Sequence, residues 1–354
     1  MEKRAWKRLA ALLLCAAVAF ASAGCGLFGM DSAGPESAKP AKQSGGSAEI
    51  QLTDQAGREV VLEKPAETLV SCYYITTYAT VALGVADRVI GLEKKADTRP
   101  IYRMAAPGLL EQEQVGSLKE FNVEAVAALA PDLVLMPRKL KDHAETLTEL
   151  GIPVLVVDPE TQEGMEQMLA LIGKACGAED QAAALTAYYG EQLSRMADLT
   201  KGQEKPRVYM GGNSSYLTAA PGGMYQSSLI KQAGGTNVAQ DIKGDYWTEV
   251  SYESILAMDP EYIIVPSGAS YTANDIRNDP QLAGVGAVAH GNVYEMPRGI
   301  EEWDAPIPSG VLGVMWLTSV LHPGQYSFDT FVSDAQAFYQ TFYGFALDAA
   351  LVTK

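Results

Sequence analysis

The sequence offers few residues that could perform catalysis or hold a metal ion. It has three histidines, His143, His290 and His322, and none has a second histidine at the spacing that zinc sites use. No CxxC pair, G-x-S-x-G elbow, P-loop or G-x-G-x-x-G motif after a strand is present. Ser214 and Ser215 could be imagined as nucleophiles, but no motif ties a histidine to them. The sequence therefore predicts neither an enzyme, nor an intrinsic metal site, nor an intrinsic cofactor.

A second set of residues suits ligand binding. Aromatic and cationic side chains follow several predicted strands, and ligands of open α/β lobes bind outside the carboxyl ends of strands. Aromatic walls supply stacking and burial, while arginines orient a large, partly aromatic and often anionic ligand. The candidate ligand-binding residues are Tyr73, Tyr74, Arg138, Tyr216, Tyr225, Trp247, Arg298 and Trp303.

Core or rim positions are the alternative for these aromatic side chains, because the chain contains 17 tyrosines. Tyr74, Trp247, Arg298 and Trp303 are the preferred candidates, since loops are poor places to bury large apolar side chains. An acid, Asp304, directly follows Trp303. Its carboxylate disfavours a strongly anionic ligand and could contact a metal or an amine.

The elements that must position these residues include an internal repeat. The segments EAVAALAPDLVLMP (residues 124–137) and ESILAMDPEYIIVP (residues 253–266) align without a gap. Each begins with a glutamate, continues as a short helix, meets a proline and an acid, and ends in an apolar strand. Wholly apolar strands of this length are typical of parallel sheets that are buried on both faces. Strands that alternate with helices predict right-handed βαβ units, and the fold class is therefore α/β with two lobes.

A helical segment separates the two copies of the repeat. Residues 160–201 are rich in Ala, Leu, Glu, Gln and Met, with a break at Gly177. We expect a helix up to Cys176 and a long helix over residues 179–199 that connects the lobes as a stiff element. The predicted domains are a signal peptide (1–24), a lipidated Cys with a flexible tether (25–48), an N-terminal α/β lobe (49–160), a connecting helical segment (161–202) and a C-terminal α/β lobe with terminal helices (203–354).

The first residues indicate export. Four basic residues precede a run of 12 apolar residues, 9–20, which is shorter than the roughly 20 residues that span a bilayer. The following Ala-Ser-Ala-Gly and Cys25 resemble a lipobox, in which the cysteine is lipidated and becomes N-terminal, although Ser22 stands where a lipobox prefers Leu. Ordinary cleavage that leaves a soluble protein starting at Gly24 is the alternative. A Gly-, Ser- and Pro-rich tether after Cys25 favours the lipid anchor.

Charge and cysteine content narrow the functional classes further. Removal of residues 1–24 takes away four bases and one acid, so the net charge changes from −16 to −19. Such acidity argues against binding nucleic acid. Beyond the anchor, Cys72 and Cys176 are far apart in sequence, and we expect two small buried side chains rather than a disulfide framework.

Several short phrases, in order along residues 50–321, resemble one family of transport proteins. They are DQAGREV (54–60), VADRVIG (85–91), VG (115–116), NVE (122–124), APDLV (130–134), GIPV (151–154), AGGTNV (233–238), VSYE (250–253) and HGNVY (290–294). Together they are similar to the substrate-binding proteins of vitamin B12, ferric-siderophore and heme ABC importers, which have two α/β lobes joined by one long helix. The sequence departs from the family at Trp303, where many relatives have Trp-x-Arg-Pro.

The resemblance implies a function and partners. The glutamates of the NVE and VSYE motifs, Glu124 and Glu253, would contact arginines of the dimeric permease, which works with its ATPase subunits. The expected protein is an extracytoplasmic monomer, lipid-anchored to the outer face of the cytoplasmic membrane, that captures an iron-siderophore. Heme, cobalamin or another metal chelate is the alternative. A bare metal ion is disfavoured by the few histidines, and a tethered receptor or enzyme that has borrowed the fold stays open.

Overall fold

The computed structural model describes residues 49–354 of the chain. The predicted signal peptide, Cys25 and nearly all of the predicted tether therefore lie outside the described residues. The described part has two parallel sheets, flanked by helices, and both sheets belong to one compact unit. None of its helices is long and apolar enough to cross a membrane.

The N-terminal lobe is built on a five-stranded parallel sheet of order β5-β4-β3-β6-β7, preceded by a β1-β2 hairpin. Strands β3, β6 and β7 are buried along their whole length, as their apolar sequences predict. The strands are β1 (Ile50–Thr53), β2 (Glu59–Leu62), β3 (Leu69–Ser71), β4 (Val89–Leu92), β5 (Glu113–Gln114), β6 (Leu133–Pro137) and β7 (Val154–Val157). The helices are α1 (Tyr74–Ala82), α2 (Pro100–Ala105), α3 (Val123–Leu129), α4 (Ala144–Glu149) and α5 (Gln162–Cys176).

One long helix, α6 (Glu179–Thr200), follows α5 after Gly177, which ends α5 in the left-handed conformation at φ 65°. Helix α6 packs against α5. It also packs against two helices of the C-terminal lobe, α7 (Tyr225–Gln232) and α11 (Val311–Leu321). The break at Gly177 and the long helix after it confirm the sequence prediction for this segment. The domain boundaries at residues 160 and 202 stay predictions.

The C-terminal lobe is built on a four-stranded parallel sheet of order β10-β8-β12-β13, with a separate β9-β11 pair. Its strands are β8 (Arg207–Met210), β9 (Thr218–Ala219), β10 (Thr236–Asn237), β11 (Thr248–Glu249), β12 (Tyr262–Val265) and β13 (Val293–Glu295). Its helices are α7 (Tyr225–Gln232), α8 (Tyr252–Met258), α9 (Ala273–Arg277), α10 (Gly286–Ala289), α11 (Val311–Leu321) and α12 (Phe328–Phe342). The partners of α6 in this lobe are α7 and the wholly buried α11.

The two copies of the sequence repeat fold alike. Helices α3 and α8 both have seven residues, and both end at a residue in the left-handed conformation, Ala130 and Asp259. Each helix leads into an inner strand of its sheet, β6 or β12. The two-lobed α/β fold predicted from the repeat is thus present.

The two cysteines of the described part are unpaired and buried, as the sequence predicts. Burial raises the pKa of the Cys176 thiol to about 11 and that of Cys72 further above its usual value. Both thiols therefore remain protonated and pack as small apolar groups.

Candidate ligand-binding cleft

The candidate site is a cleft of about 600 Å³ that is lined by residues of both lobes. Its N-terminal wall follows the carboxyl ends of β3, β4, β6 and β7, and its C-terminal wall follows those of β8, β12 and β13. This is where open parallel sheets bind ligands. The N-terminal wall includes Tyr73, Tyr74, Arg99, Lys139 and Glu160, and the C-terminal wall includes Asn213, Met224, Tyr225, Gln226, Asp245, Tyr246, Trp247, Glu302 and Asp304.

A second depression of about 670 Å³ is a weaker candidate. It borders Val89, the first residue of β4, and therefore lies away from the carboxyl ends of the strands. Glycines and alanines form much of its wall, and Asp87 is its one charged residue. The cleft offers both aromatic faces and charges, so we place the candidate site there.

The N-terminal wall is formed by tyrosines at the start of α1. Tyr73 is the N-cap residue of this helix, and its ring lies edge-on to that of Tyr74 with the centroids 4.8 Å apart. Burial raises the pKa of Tyr73 to about 12 and that of Tyr74 well above its usual value, so both rings are neutral. The guanidinium of Arg99 lies 4.0 Å from the centroid of the Tyr74 ring.

Arg99 joins the two walls. Its Nη1 donates to Glu302 Oε1 at 3.0 Å and to the Tyr78 hydroxyl at 3.2 Å. The same hydroxyl donates to the other carboxylate oxygen of Glu302 at 2.9 Å. On its far side, Arg99 Nε lies 3.6 Å from Oε1 of the buried Glu93. Burial alone would lower the pKa of Arg99, but Tyr78 and Glu302 raise it above its usual value.

The C-terminal wall presents Trp247 from the loop before β11. Gly212 permits its position, because a Cβ at residue 212 would lie 3.1 Å from the indole ring. Tyr225 begins α7 and holds its hydroxyl 2.9 Å from that of Tyr189 on α6. Exposed Tyr246 lies at the mouth of the cleft, where Lys139 of the opposite wall approaches to 5.7 Å from the ring centroid.

Carboxylates outnumber cations in this cleft. Glu160, Asp245, Glu302 and Asp304 face Arg99 and Lys139. Asp304 is buried, and its Oδ1 accepts a hydrogen bond from the Ser267 backbone N–H at 3.2 Å. Burial raises the pKa of Asp304 to about 6, so mild acidification removes the charge of this carboxylate.

Four of the eight predicted ligand-binding residues, Tyr73, Tyr74, Tyr225 and Trp247, line the cleft together. The structure places the other four elsewhere. Arg138 lies in an adjoining depression and pairs with Asp158 at 2.9 Å, while its neighbour Lys139 reaches the cleft. Tyr216 donates its hydroxyl to Asp279 at 2.8 Å, and its ring lies edge-on to that of Tyr271.

Arg298 and Trp303 also require correction as cleft residues. Arg298 donates to the backbone carbonyls of Ala269 and Tyr271 and pairs with Glu295, so it fastens the loops around β13. Trp303 is completely buried. The expectation that a loop could not bury Trp303 was wrong. Its indole N–H donates a hydrogen bond to the Tyr339 hydroxyl at 2.9 Å, and the indole ring packs against Phe331.

The eight predicted ligand-binding residues do not include Arg99, Glu302 or Tyr246. Arg99 follows β4 after a short 3₁₀ turn, Ala96–Thr98, so the rule on strand ends would have included it if the turn had been anticipated. Glu302 directly precedes the selected Trp303, and Tyr246 directly precedes Trp247. The described residues contain no group of three or more His, Cys, Asp or Glu placed to hold a metal ion.

Known proteins resemble this chain over most of its length. A family model described as periplasmic binding protein matches residues 69–299. Molybdate-binding protein MolA of Haemophilus influenzae is 26% identical over 325 residues, which cover 82% of this chain and 91% of MolA. The uncharacterized ABC transporter substrate-binding lipoprotein YvrC of Bacillus subtilis is 28% identical over 316 residues, covering 84% of this chain and 90% of YvrC.

A solved structure agrees with these matches. The crystal structure of a periplasmic solute binding protein from Veillonella parvula superposes with a TM-score of 0.76 at 27% identity, covering 86% of this chain and 95% of that one. These relatives are transport binding proteins rather than enzymes. The family model extends from β3 to beyond β13 and so includes both sheets. The chain therefore belongs to the periplasmic binding protein family, among the substrate-binding proteins of ABC importers whose two α/β lobes are joined by a long helix.

Proposed function

We propose that this protein captures an iron-siderophore outside the cytoplasmic membrane and delivers it to the permease of an ABC importer. The observation that carries the proposal is the two-sided cleft, in which aromatic rings from both lobes surround a few charged groups. Binding sites for organic ligands combine apolar and aromatic walls with a small number of polar groups that fix orientation.

The size and lining of the cleft favour a chelate over a bare ion. A cleft of about 600 Å³ lies within the range of roughly 300–1,000 Å³ that holds small organic molecules. Tyr73, Tyr74, Tyr225 and Trp247 offer ring faces and edges to organic groups, which a hydrated metal ion would not use. A siderophore brings its own oxygen ligands for iron, so the protein has only to bind the outer surface of the complex.

The same cleft is less suited to a small oxyanion. The relative MolA is a molybdate-binding protein, but a dianion in this cleft would meet more carboxylates than cations. Like charges that face one another in a binding site oppose binding strongly. The balance of charge in the cleft therefore supports a ligand without excess negative charge.

Ligand titration of the purified full-length protein tests the proposal. Intrinsic tryptophan fluorescence would be followed against a neutral ferric trihydroxamate, a ferric tris-catecholate, heme, cobalamin, sodium molybdate and free divalent metals. We expect sub-micromolar quenching by a ferric siderophore, and a loss of affinity of about 30-fold in Trp247→Ala, since a buried aromatic contact contributes about 2 kcal/mol.

Tyr216→Phe is the matched control, because Tyr216 was also a sequence candidate but contacts Asp279 instead of the cleft. Its affinity should equal that of the wild type. Binding of bare metal alone would replace the chelate with an ion as the cargo. A response to heme or cobalamin alone would keep the transport role and change the ligand.

The proposed location completes this function. We infer that Cys25 carries a lipid anchor, and the lipoprotein YvrC is a relative of similar extent. Attachment keeps the binding protein close to its permease and raises its effective concentration there. Fractionation of cells that express Cys25→Ser should move the protein from membranes to the soluble fraction. Retention of the variant in membranes would refute the anchor while leaving the ligand assignment untouched.

A further inference from the structure

The cleft contains a rigidly held guanidinium that would normally bind an anion. Arg99 is stacked on Tyr74, with 4.0 Å between the guanidinium carbon and the ring centroid, and is bonded to the Tyr78 hydroxyl. Only 21% of its side chain is exposed. A planar guanidinium fixed in this way, with its charge partly shielded from water, suits carboxylate or oxyanion groups.

A carboxylate of the protein itself already occupies this position. Glu302 accepts from Arg99 at 3.0 Å with one oxygen and from Tyr78 at 2.9 Å with the other. It comes from the opposite wall, 203 residues later in the chain. Its side chain is 32% exposed and lines the cleft beside Arg99, so an arriving ligand meets this carboxylate together with the guanidinium.

We propose that Glu302 determines the charge selectivity of the cleft: it fills the anion position of Arg99, so that neutral or cationic metal chelates enter and anionic ones are rejected. This inference deepens the proposed function and depends on the same cleft. The aromatic walls cannot distinguish anionic chelates from neutral or cationic ones, because rings stack on ligands of either charge. Glu302 makes this distinction.

The surroundings of Arg99 strengthen this assignment. A second carboxylate, Glu93, lies 3.6 Å from Arg99 Nε and accepts from the Tyr102 and Thr77 hydroxyls at 2.7 Å each. Arg99 thus faces two carboxylates, and an anionic ligand would bring a third. In the Glu302→Gln variant, Glu93 still contacts Nε, but Nη1 loses its charged partner and becomes available to a ligand.

Sodium molybdate, a small tetrahedral dianion, is the probe for this position. Isothermal titration of the full-length protein would compare the wild type with Glu302→Gln, whose amide keeps the size of the side chain and removes its charge. We expect at least about a tenfold gain in molybdate affinity, because a like charge is removed at contact distance. The double variant Glu302→Gln with Arg99→Gln should lose that gain.

Asp245→Asn is the matched control. Asp245 also lines the cleft, but it is exposed and has no ion pair among those found in the described residues. Its neutralisation removes the same charge without releasing Arg99, and solvent screens the effect. An equal gain in Asp245→Asn, no gain in Glu302→Gln, or a gain that persists without Arg99 would overturn the inference.

A charge series on the wild type tests the inference without any variant, in case Glu302→Gln fails to fold. The ligands would be ferric trihydroxamates that differ only in carrying a free ammonium, no charged group or a free carboxylate. We expect the carboxylate form to bind at least about tenfold more weakly than the other two. Tighter binding of that form would overturn the inference. Absence of all chelate binding would refute the proposed function, and the molybdate titrations would still decide the role of Glu302.

Discussion

The two lobes are alike in the helices that begin with the NVE and VSYE motifs and unlike in their walls of the cleft. Asn122 caps α3 by accepting from the Ala125 N–H at 2.9 Å, and Ser251 caps α8 by accepting from the Ser254 N–H at 3.2 Å. In both helices the exposed glutamate of the motif stands in the first turn, where the helix dipole favours an acid.

The likeness extends to the acids that follow these helices. Asp132 accepts from the backbone N–H groups of Glu67 and Thr68, just before β3, each at 2.9 Å. Glu261 accepts from the N–H of Arg207, the first residue of β8, at 2.7 Å. The acid that follows the inner proline of each copy therefore fixes the start of the neighbouring strand, which gives this position of the repeat a structural role in both lobes.

The cleft walls differ more. Each wall includes a tyrosine at the start of a helix, Tyr74 on α1 and Tyr225 on α7, but Arg99 lies only over the N-terminal one, and the C-terminal wall adds loops that carry Trp247, Glu302 and Asp304. Two similar surfaces suit two similar subunits of a permease, and two different walls suit a ligand without symmetry. We therefore propose that the features shared by the two lobes recognise the permease and that the features in which they differ recognise the ligand.

Charge reversal on the shared surface should have the largest effect. Glu124→Lys or Glu253→Lys should each reduce ligand uptake in cells about tenfold or more, and the double variant further, because in the docking that we propose each reversal would replace attraction to a permease arginine with repulsion. Ligand affinity of the purified protein should change less than about twofold, since neither residue lines the cleft. Uptake of labelled ligand and titration of the purified variants measure the two effects.

Glu145→Lys supplies the control for that experiment. Glu145 is an exposed acid in the first turn of α4, so its reversal has the same cost against the helix dipole but lies outside the repeat. Uptake by this variant should stay close to that of the wild type. Equal loss of uptake and of ligand affinity in Glu124→Lys would contradict the division between the two surfaces.

The shared features could be predicted from the sequence because their determinants are local and occur twice. Glu124 and Glu253 open gap-free copies of one pattern, and the strands and helices of that pattern fold where their apolar residues indicate. Gly177 likewise predicts the end of α5, because glycine is the residue type that most often ends a helix in the left-handed conformation. Such features need no knowledge of distant parts of the chain.

The cleft could be predicted only in part because its determinants are distant in sequence. Tyr73 and Tyr74 were selected because they follow a predicted strand, and Trp247 because it is a large aromatic residue in a predicted loop. Trp303 was misplaced because its partner, the Tyr339 hydroxyl, belongs to a helix 36 residues later. Arg99 was overlooked because its role in the cleft depends on its contact with Glu302. The two residues are far apart in sequence, and only the packing of one lobe against the other brings them together.

The loop of the C-terminal wall should also make the free energy of unfolding depend on pH. This effect should be smaller than the effect of charge reversal on uptake. Glu301, in the loop of the C-terminal wall, is 3% exposed and accepts from the Tyr339 hydroxyl at 2.7 Å. Burial raises its pKa from 4.5 to about 7, despite the hydrogen bonds that it accepts. The folded protein thus binds this proton more tightly than the unfolded chain, so the free energy of unfolding should rise as pH falls from about 7 towards about 5.

Denaturant unfolding at about pH 7.5 and pH 5.5 measures this rise, for which we expect on the order of 1–2 kcal/mol from Glu301. Glu301→Gln retains an acceptor for Tyr339 but cannot titrate, so the difference between the two pH values should shrink. Glu253→Gln is the control from the shared surface. Its own backbone N–H and Ser251 lower the pKa of Glu253, which stays ionised throughout this range. An undiminished pH difference in Glu301→Gln would show that the pH response does not originate in Glu301.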